Sequence, residues 1–374
     1  MRICHITSMH DWDDDRIYQR ACLGLAQKGH EVHLVATMPQ EDLPLQEKIN
    51  FHWLRYRQGW KRRWKSSREA IRKAIDVNAD IYHFHDPDLL PHIKLLKKKT
   101  PGAKVFYDIH ENYAGRFSQW GLPGWLGKLF RVYELGIINK LDGITVVSES
   151  MKKLFRKTAT PAIVTRNSTD LSRLQNLDLG AVKTFNPPVI YTSGTNSHAR
   201  NCLQSVQALK YVDDNLEYRM MFVGLFQDGI EKELEAQASK DQTISRLKLE
   251  GMLPWEENFL RTARAYCGCV FYEDNPNNQV GIPNRLFEYM YCGLPVLASD
   301  FPELKRIVNS TQCGIVVDSD DPKSIAKGIE FLLKKPQEAR KMGERGRRAV
   351  EEEYGYHVDI ERLEDLYKES LRSS

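Results

Sequence analysis

The sequence predicts an α/β protein built from two consecutive doubly wound domains. Three observations carry this. Short β-branched and apolar runs alternate with helical patterns along the whole chain, and such alternation implies parallel strands joined by crossover helices. The length, 374 residues, exceeds one ordinary core and suits two domains of roughly 150–200 residues each. The alternation also breaks once, over residues 168–188, where the chain turns polar and ends in Pro187-Pro188.

In chain order, the first half is expected to hold strands at Arg2–Thr7, Glu31–Thr37, Phe51–Arg57, Ile81–His85, Lys104–Ile109, Gly143–Val147 and Ala162–Arg166. Between the first two lies a helical stretch, Asp15–Lys28, with Ile17, Ala21 and Leu25 on one face and Gly29 as the stop. Beyond the linker the expected strands are Val189–Ser193, Tyr218–Val223, Leu247–Glu250, Cys269–Tyr272, Pro295–Ser299 and Gly314–Val317. The domains then run 1–167 and 189–353, with 168–188 as linker and 354–374 as a C-terminal helix. That helix carries Ile360, Leu363, Tyr367 and Leu371 near one face, and suits either domain, a return to the first included. A cleft between the two domains is the simplest architecture.

Composition narrows the function. A net charge of +4 gives no global sign of a nucleic-acid binder. The seven cysteines are scattered, with no Cys-x-x-Cys pair and no His/Cys ligand spacing, and read as reduced core residues of a cytoplasmic protein. No run approaches 18 apolar residues, and the start passes at once into a strand rather than a signal peptide.

After the first strand comes Ser8-Met9-His10-Asp11-Trp12-Asp13-Asp14-Asp15-Arg16. A dinucleotide-binding turn needs glycines here so that backbone can approach a pyrophosphate; there are none, which argues against a nicotinamide or flavin enzyme. The aspartates, and those of Asp86-Pro87-Asp88, read as helix caps rather than metal ligands. No metal site is expected. Ligands of open parallel sheets bind beyond the carboxyl ends of the strands. His85 with Asp86-Pro87-Asp88, and His110-Glu111-Asn112, both stand there, and so does Arg16.

The most informative stretch is Gly281 to Asp300 (Gly-Ile-Pro-Asn-Arg-Leu-Phe-Glu-Tyr-Met-Tyr-Cys-Gly-Leu-Pro-Val-Leu-Ala-Ser-Asp). Pro283 suits the first turn of a helix, whose positive end offers amides to a diphosphate. Glu288 lies within that helix, and a carboxylate accepts two hydrogen bonds at once, which matches a ribose diol. An ordinary glutamate on a solvated face fits the position equally well.

This segment resembles the donor-binding signature of the family-4 retaining glycosyltransferases of GT-B fold, especially bacterial members that build surface polysaccharide and lipopolysaccharide. Asp14-x-Arg16-Ile17, Tyr107-Asp108-Ile109-His110-Glu111, Val147-Ser148-Glu149, Arg166-Asn167 and the stretch from Gly194 to Arg200-Asn201 are similar to the same members. The matches run from residue 14 to residue 300, and their combination is more specific than any piece. The resemblance implies two Rossmann-like domains facing across a cleft, and a retaining transfer of a hexosyl or N-acetylhexosaminyl group from a UDP- or GDP-sugar. The acceptor would be a glycan or lipid-linked saccharide; no metal and no cofactor beyond the donor are implied. By the same resemblance Glu288 grips the ribose, Arg200 stabilises the departing diphosphate, and His110 touches the transferred sugar. Gly194, Ile282, Pro283, Asn284 and Arg285 complete the donor side; Arg16, His85, Asp86 and Glu111 stand on the acceptor side. Two positions depart from the pattern. A second glutamate expected eight residues before Glu288 is Val280, and a basic residue expected five before Arg200 is Thr195. They keep open an inactive nucleotide-sugar-binding sensor or scaffold, and a sugar-nucleotide epimerase on the same fold stands beside it.

A local charge imbalance suggests a place of work. Between Arg55 and Lys73 there are nine basic residues and one acid, Glu69, and six of the seven tryptophans precede residue 126. Tryptophan and clustered Lys/Arg both favour an anionic membrane surface, so peripheral attachment to the inner leaflet is expected, with Trp120, Trp125 and Leu126 as a second apolar contact. A solvated basic helix face with buried tryptophans is the alternative.

Overall fold

The computed structural model describes residues 1–37, 48–55, 61–168 and 182–373, with the backbone alone for residues 61–63 and 119. The chain divides into two compact units, Met1–Asn167 with Tyr356–Ser374, and Ser168–Gly355.

The first unit holds a seven-stranded sheet in the order β3-β2-β1-β4-β5-β6-β7. Its strands are β1 (Arg2–Ile6), β2 (Glu31–Thr37), β3 (Ile49–Leu54), β4 (Ile81–Phe84), β5 (Lys104–Ile109), β6 (Gly143–Val146) and β7 (Ala162–Val164). All pair in parallel. The second unit holds β8 (Val189–Asn196), β9 (Arg219–Phe226), β10 (Leu247–Glu250), β11 (Cys267–Val270), β12 (Val296–Ser299) and β13 (Gly314–Val317), ordered β10-β9-β8-β11-β12-β13 and again parallel. In each sheet the order reverses beside the unit's first strand, between β1 and β4 and between β8 and β11. Such switch points open the crevice in which doubly wound sheets bind ligands.

The expected strands are all present, most with shifted ends, and the last two residues of the expected Phe51–Arg57 lie outside the described residues. β8 continues to Asn196 because it keeps its ladder with β9 as far as Asn196 and Phe226, a pairing that side-chain pattern does not reveal. β11 begins two residues early, at Cys267. The Asp15–Lys28 helix divides into a wide-turned segment, Asp15–Cys22, and a short α-helix, Leu23–Gln27. Asp14 caps it, as expected, accepting from the amides of Arg16 and Ile17. Most of the linker, residues 169–181, lies outside the described residues. The cysteines are unpaired and all buried except Cys292, which is half-buried.

The C-terminal helix, Tyr356–Arg372, packs within the first unit. Leu363, Leu366 and Tyr367 enter its core with Ile3, Ile81 and Phe106, and Tyr367 lies 4.9 Å from the Phe106 ring. Asp359 fixes the helix start by accepting from the Arg166 amide at 2.6 Å and its Nη1 at 3.0 Å. Tyr354, just before the helix, belongs to the second unit, its ring 5.7 Å from Phe287.

Candidate functional site

At the switch point of the first sheet the sequence-predicted residues form one buried polar network. Arg16 leaves the helical segment after β1 and donates to Asp108 through Nε at 2.8 Å and Nη2 at 2.6 Å. It also reaches the Thr165 carbonyl and the Asn167 side chain, each at 2.8 Å. Arg16 therefore braces β5 against the end of β7. Burial pushes the Asp108 carboxyl up, but the Arg16 guanidinium and His110 more than offset this and hold it well below the usual carboxylate range.

His110 lies 2.8 Å from Asp108 Oδ2. His85 meets the same oxygen at 3.0 Å and His110 at 3.2 Å. Burial lowers His85 to about 4 despite Asp108, so it is a neutral imidazole. Glu111 pairs with Arg116.

Asp86 corrects an expectation. Its side chain caps no helix; instead it folds back on the turn after β1, accepting from the Thr7 hydroxyl at 2.8 Å and the amides of Ser8 and Met9 at 2.6 and 3.1 Å. The turn needs a local anion because, lacking glycine, it is held by side chain. His10 completes it, with Nδ1 2.8 Å from Asp86 Oδ1. Burial pulls His10 down, but the hydrogen bond and charge of Asp86 override it and raise the imidazole to about 9. Burial likewise pushes Asp86 up, and His10 with the Ser8 amide and Thr7 hydroxyl brings it down to about 2. His10 stands 4.8 Å from the His110 ring. Sequence reasoning passed over His10, and nothing local marks it; its partner is 76 positions away.

At the switch point of the second sheet two arginines meet one ring. The Arg200 guanidinium lies 4.1 Å from the centre of Tyr272, and that of Arg285 lies 5.1 Å from it. Arg285 comes from the helix Asn284–Tyr291 and donates to the carbonyls of Ser193 at 3.0 Å and Phe271 at 3.3 Å. Its Nε is buried without a hydrogen-bond partner among the described residues. Neither arginine has a carboxylate partner there. Burial, and then repulsion from Arg285, lowers Arg200 to about 9. Tyr272 was missed; its signal was its place just beyond a strand end.

Gly194 ends the straight part of β8 with φ of +98°, open space standing where a Cβ would be. Pro283 caps the helix one position before the first turn in which it was expected, with no side-chain hydrogen bond of its own. Ile282 belongs to the core, and Asn284 and Glu288 are half-buried. Val280 closes a turn onto the Asn277 carbonyl at 3.2 Å, and Thr195 is half-exposed. The structure thus brings Gly194, Arg200 and Arg285 to one sheet edge and Arg16, His85, Asp86 and His110 to another.

Two Rossmann-like parallel sheets, each with its polar residues gathered at the switch point, define the GT-B class. Residues 16–173 match the family model described as Glycosyltransferase Family 4, and residues 181–349 the model described as Glycosyl transferases group 1. The chain belongs to the glycosyltransferases of this family-4 type. A curated relative, the capsular polysaccharide biosynthesis glycosyltransferase CapM of Staphylococcus aureus, is 27% identical over 99 residues, a stretch spanning 26% of this chain and 26% of that one. Among solved structures, sucrose-phosphate synthase from Thermosynechococcus elongatus has a TM-score of 0.78 at 17% identity over 100% of both chains. Anabaena Alr3699/HepE, solved in complex with UDP-glucose, has a TM-score of 0.69 at 13% identity, also over 100% of both. No helix among the described residues is long and apolar enough to cross a membrane.

Proposed function

We propose that this glycosyltransferase moves a hexosyl or N-acetylhexosaminyl group, with retention and without a metal ion, from a UDP- or GDP-sugar to a glycan or lipid-linked saccharide. The observation that carries the reading is the pair Arg200 and Arg285 on Tyr272, two desolvated cations with no carboxylate partner among the described residues. Buried charge is costly unless it is paired, and a nucleotide diphosphate supplies the missing anion. As the glycosidic bond breaks, negative charge grows on the leaving phosphate, and two fixed guanidiniums stabilise it as a divalent ion would. Glu288 holds the ribose. The acceptor hydroxyl loses its proton to the leaving phosphate on the same face, and no carboxylate nucleophile is needed. His110, oriented by Asp108, contacts the transferred sugar. Arg16, His85, Asp86 and Glu111 shape the acceptor side from behind, each being engaged by protein partners. A surface-polysaccharide product is supported by the name of the CapM relative. Turnover tests the reading: donor must be consumed only when acceptor is present, with the product's anomeric configuration equal to the donor's, and excess EDTA must leave the rate unchanged. Binding without consumption would instead favour a sensor.

The acceptor side is proposed to work at an anionic bilayer. The helices Tyr113–Gln119 and Gly124–Ile138, with the turn between them, expose Trp120, Leu122, Trp125, Leu129, Val132 and Tyr133. Around them lie Arg116, Lys128 and Lys140, while the single acid of the stretch, Glu134, is buried and paired with Arg131 at 3.0 Å. Exposed aromatics flanked by cations favour a lipid headgroup layer. In the basic stretch Arg55–Lys73, residues 56–60 and the side chains of Lys61, Arg62 and Arg63 lie outside the described residues. Trp64 is 64% exposed, whereas Trp53 stacks on Phe51 at 4.5 Å.

A further inference from the structure

The first sheet buries three histidines together. His83 lies on β4 and His85 one residue past its end, where the backbone still pairs with β1 through the His85 amide and the Ile6 carbonyl at 3.0 Å, so both imidazoles leave the sheet on one face. His5 lies on neighbouring β1, its Cα paired with that of His83. None of the three is more than 2% exposed. Two histidines at i and i+2 of one extended segment, with a third across the ladder, is a simple way for a sheet to aim three nitrogens at one point. One nitrogen from each already lies within 4.8 Å of the others. Tetrahedral Zn²⁺ bound at ~2.0–2.1 Å needs its nitrogens about 3.4 Å apart, a closure within the reach of small side-chain rotations.

The surroundings match a ligand set. Metal-binding histidines usually fix their second nitrogen on a carboxylate or other oxygen. His85 Nδ1 lies 3.0 Å from Asp108, and His83 Nδ1 lies 2.5 Å from the Tyr367 hydroxyl. In both rings this leaves Nε2 for the interior. His83 Nε2 meets the Thr145 hydroxyl at 3.3 Å, a longer contact than that hydroxyl's own donation to Asp108 at 2.6 Å. In the ion-free cluster Asp108 accepts the proton of His85 Nδ1 and His85 Nε2 accepts from His5 Nδ1, 2.9 Å away, a hydrogen bond that a bound ion would replace. His5 Nε2 is then a bare lone pair, fully buried and without a hydrogen-bond partner among the described residues. Buried polar atoms of this kind are rare and call for an occupant. A cavity lined by His83, His85, Asp108 and Asp359, with Arg16, Arg20 and Arg166 also on its wall, reaches the cluster beneath the C-terminal helix.

We propose that His5, His83 and His85 form a binding site for one divalent transition ion of the zinc class. Imidazole nitrogens suit Zn²⁺, Cu²⁺ and Ni²⁺, whereas Mg²⁺ and Mn²⁺ take oxygen. The site is therefore separate from donor chemistry and goes beyond the transferase reading. Bound there, the ion links β1 to β4 and, through Tyr367, to the C-terminal helix.

The test uses the full chain, stripped with chelator and titrated with Co²⁺ while visible absorption is followed. One equivalent should bring up the d–d bands of a low-coordinate nitrogen site, which Zn²⁺ removes and Mg²⁺ does not. Tyr367→Phe should weaken Co²⁺ binding on the order of 10-fold, and His5→Gln by more than that. His33→Gln, which breaks a close histidine pair outside the cluster, His33 with His52 at 2.9 Å, should leave the bands unchanged. No such bands in the wild-type chain, bands that survive His5→Gln, or bands that vanish in His33→Gln would each overturn the site. Because no turnover is measured, either result leaves the transferase reading intact.

Discussion

Arg200 and Arg285 differ in what holds them, and this divides their roles. Arg285 is anchored by two backbone carbonyls, while among the described residues the Arg200 guanidinium rests on the Tyr272 face, so Arg200 is the one able to follow a moving charge. Arg200→Ala should lower kcat more than it raises the donor KM, since the charge it meets develops in the transition state; equal effects on both would assign it to ground-state binding. Glu288→Ala, removing a charged hydrogen-bonding group worth ~2–4 kcal/mol, should cut kcat/KM for donor ~30-fold or more with an unchanged melting temperature. His10 carries a pH signature. Its pKa is raised from 6.5 to about 9, so its contribution to stability is full below pH 6.5 and is lost as pH rises through about 9. His10→Gln should therefore destabilise on the order of 1 kcal/mol at acid to neutral pH, after allowing for solvent screening, and much less above that range, as read by urea unfolding. The sequence exposed Arg200, Arg285 and Glu288 because their neighbours in the chain form a local pattern. It hid His10 and Tyr272 because their meaning lies in partners brought up by the sheet.

The strands were legible for a physical reason: parallel strands buried on both faces are near-continuous apolar runs, and each such run became a strand. What the runs could not tell is where a ladder stops, as β8 and β11 illustrate, or which elements a charged side chain ties together. Arg16 looked like a ligand contact and is a brace between β5 and the end of β7. Removing one partner of a buried ion pair leaves the other uncompensated, at ~3–5 kcal/mol, so Arg16→Met should lower the first unit's unfolding midpoint sharply. A fold-neutral Arg16→Met with weakened acceptor use would return Arg16 to the substrate. The Leu23–Gln27 helix makes a second, tighter demand. A Cβ on Gly24 would stand 2.1 Å from the Tyr356 hydroxyl, which donates to the Arg20 carbonyl at 2.6 Å. Gly24→Ala should displace Tyr356 and cost about 1–3 kcal/mol, whereas Gly24→Ala with Tyr356→Phe should recover part of the loss if the hydroxyl is the clash.

For the whole molecule, the exposed Trp120–Tyr133 surface predicts attachment to anionic vesicles that weakens with salt. Trp125→Ser with Leu129→Ser should abolish cosedimentation while leaving activity on a water-soluble acceptor unchanged; sedimentation that persists would move the contact elsewhere. The sequence foretold two domains but left its last helix unassigned, since an amphipathic face does not name its partner. The structure joins that helix to the first unit, and this has a consequence for how the protein is made. The opening 167 residues leave the ribosome long before residues 356–374, which supply Leu363, Leu366 and Tyr367 to their core. At translation rates of roughly 5–20 residues per second, Phe106 and Ile81 wait on the order of 10–60 s for their cover. The second unit, continuous in the chain, is complete before the first. A nascent chain arrested before residue 356 should therefore present a protease-resistant second unit and a first unit that chaperones still hold.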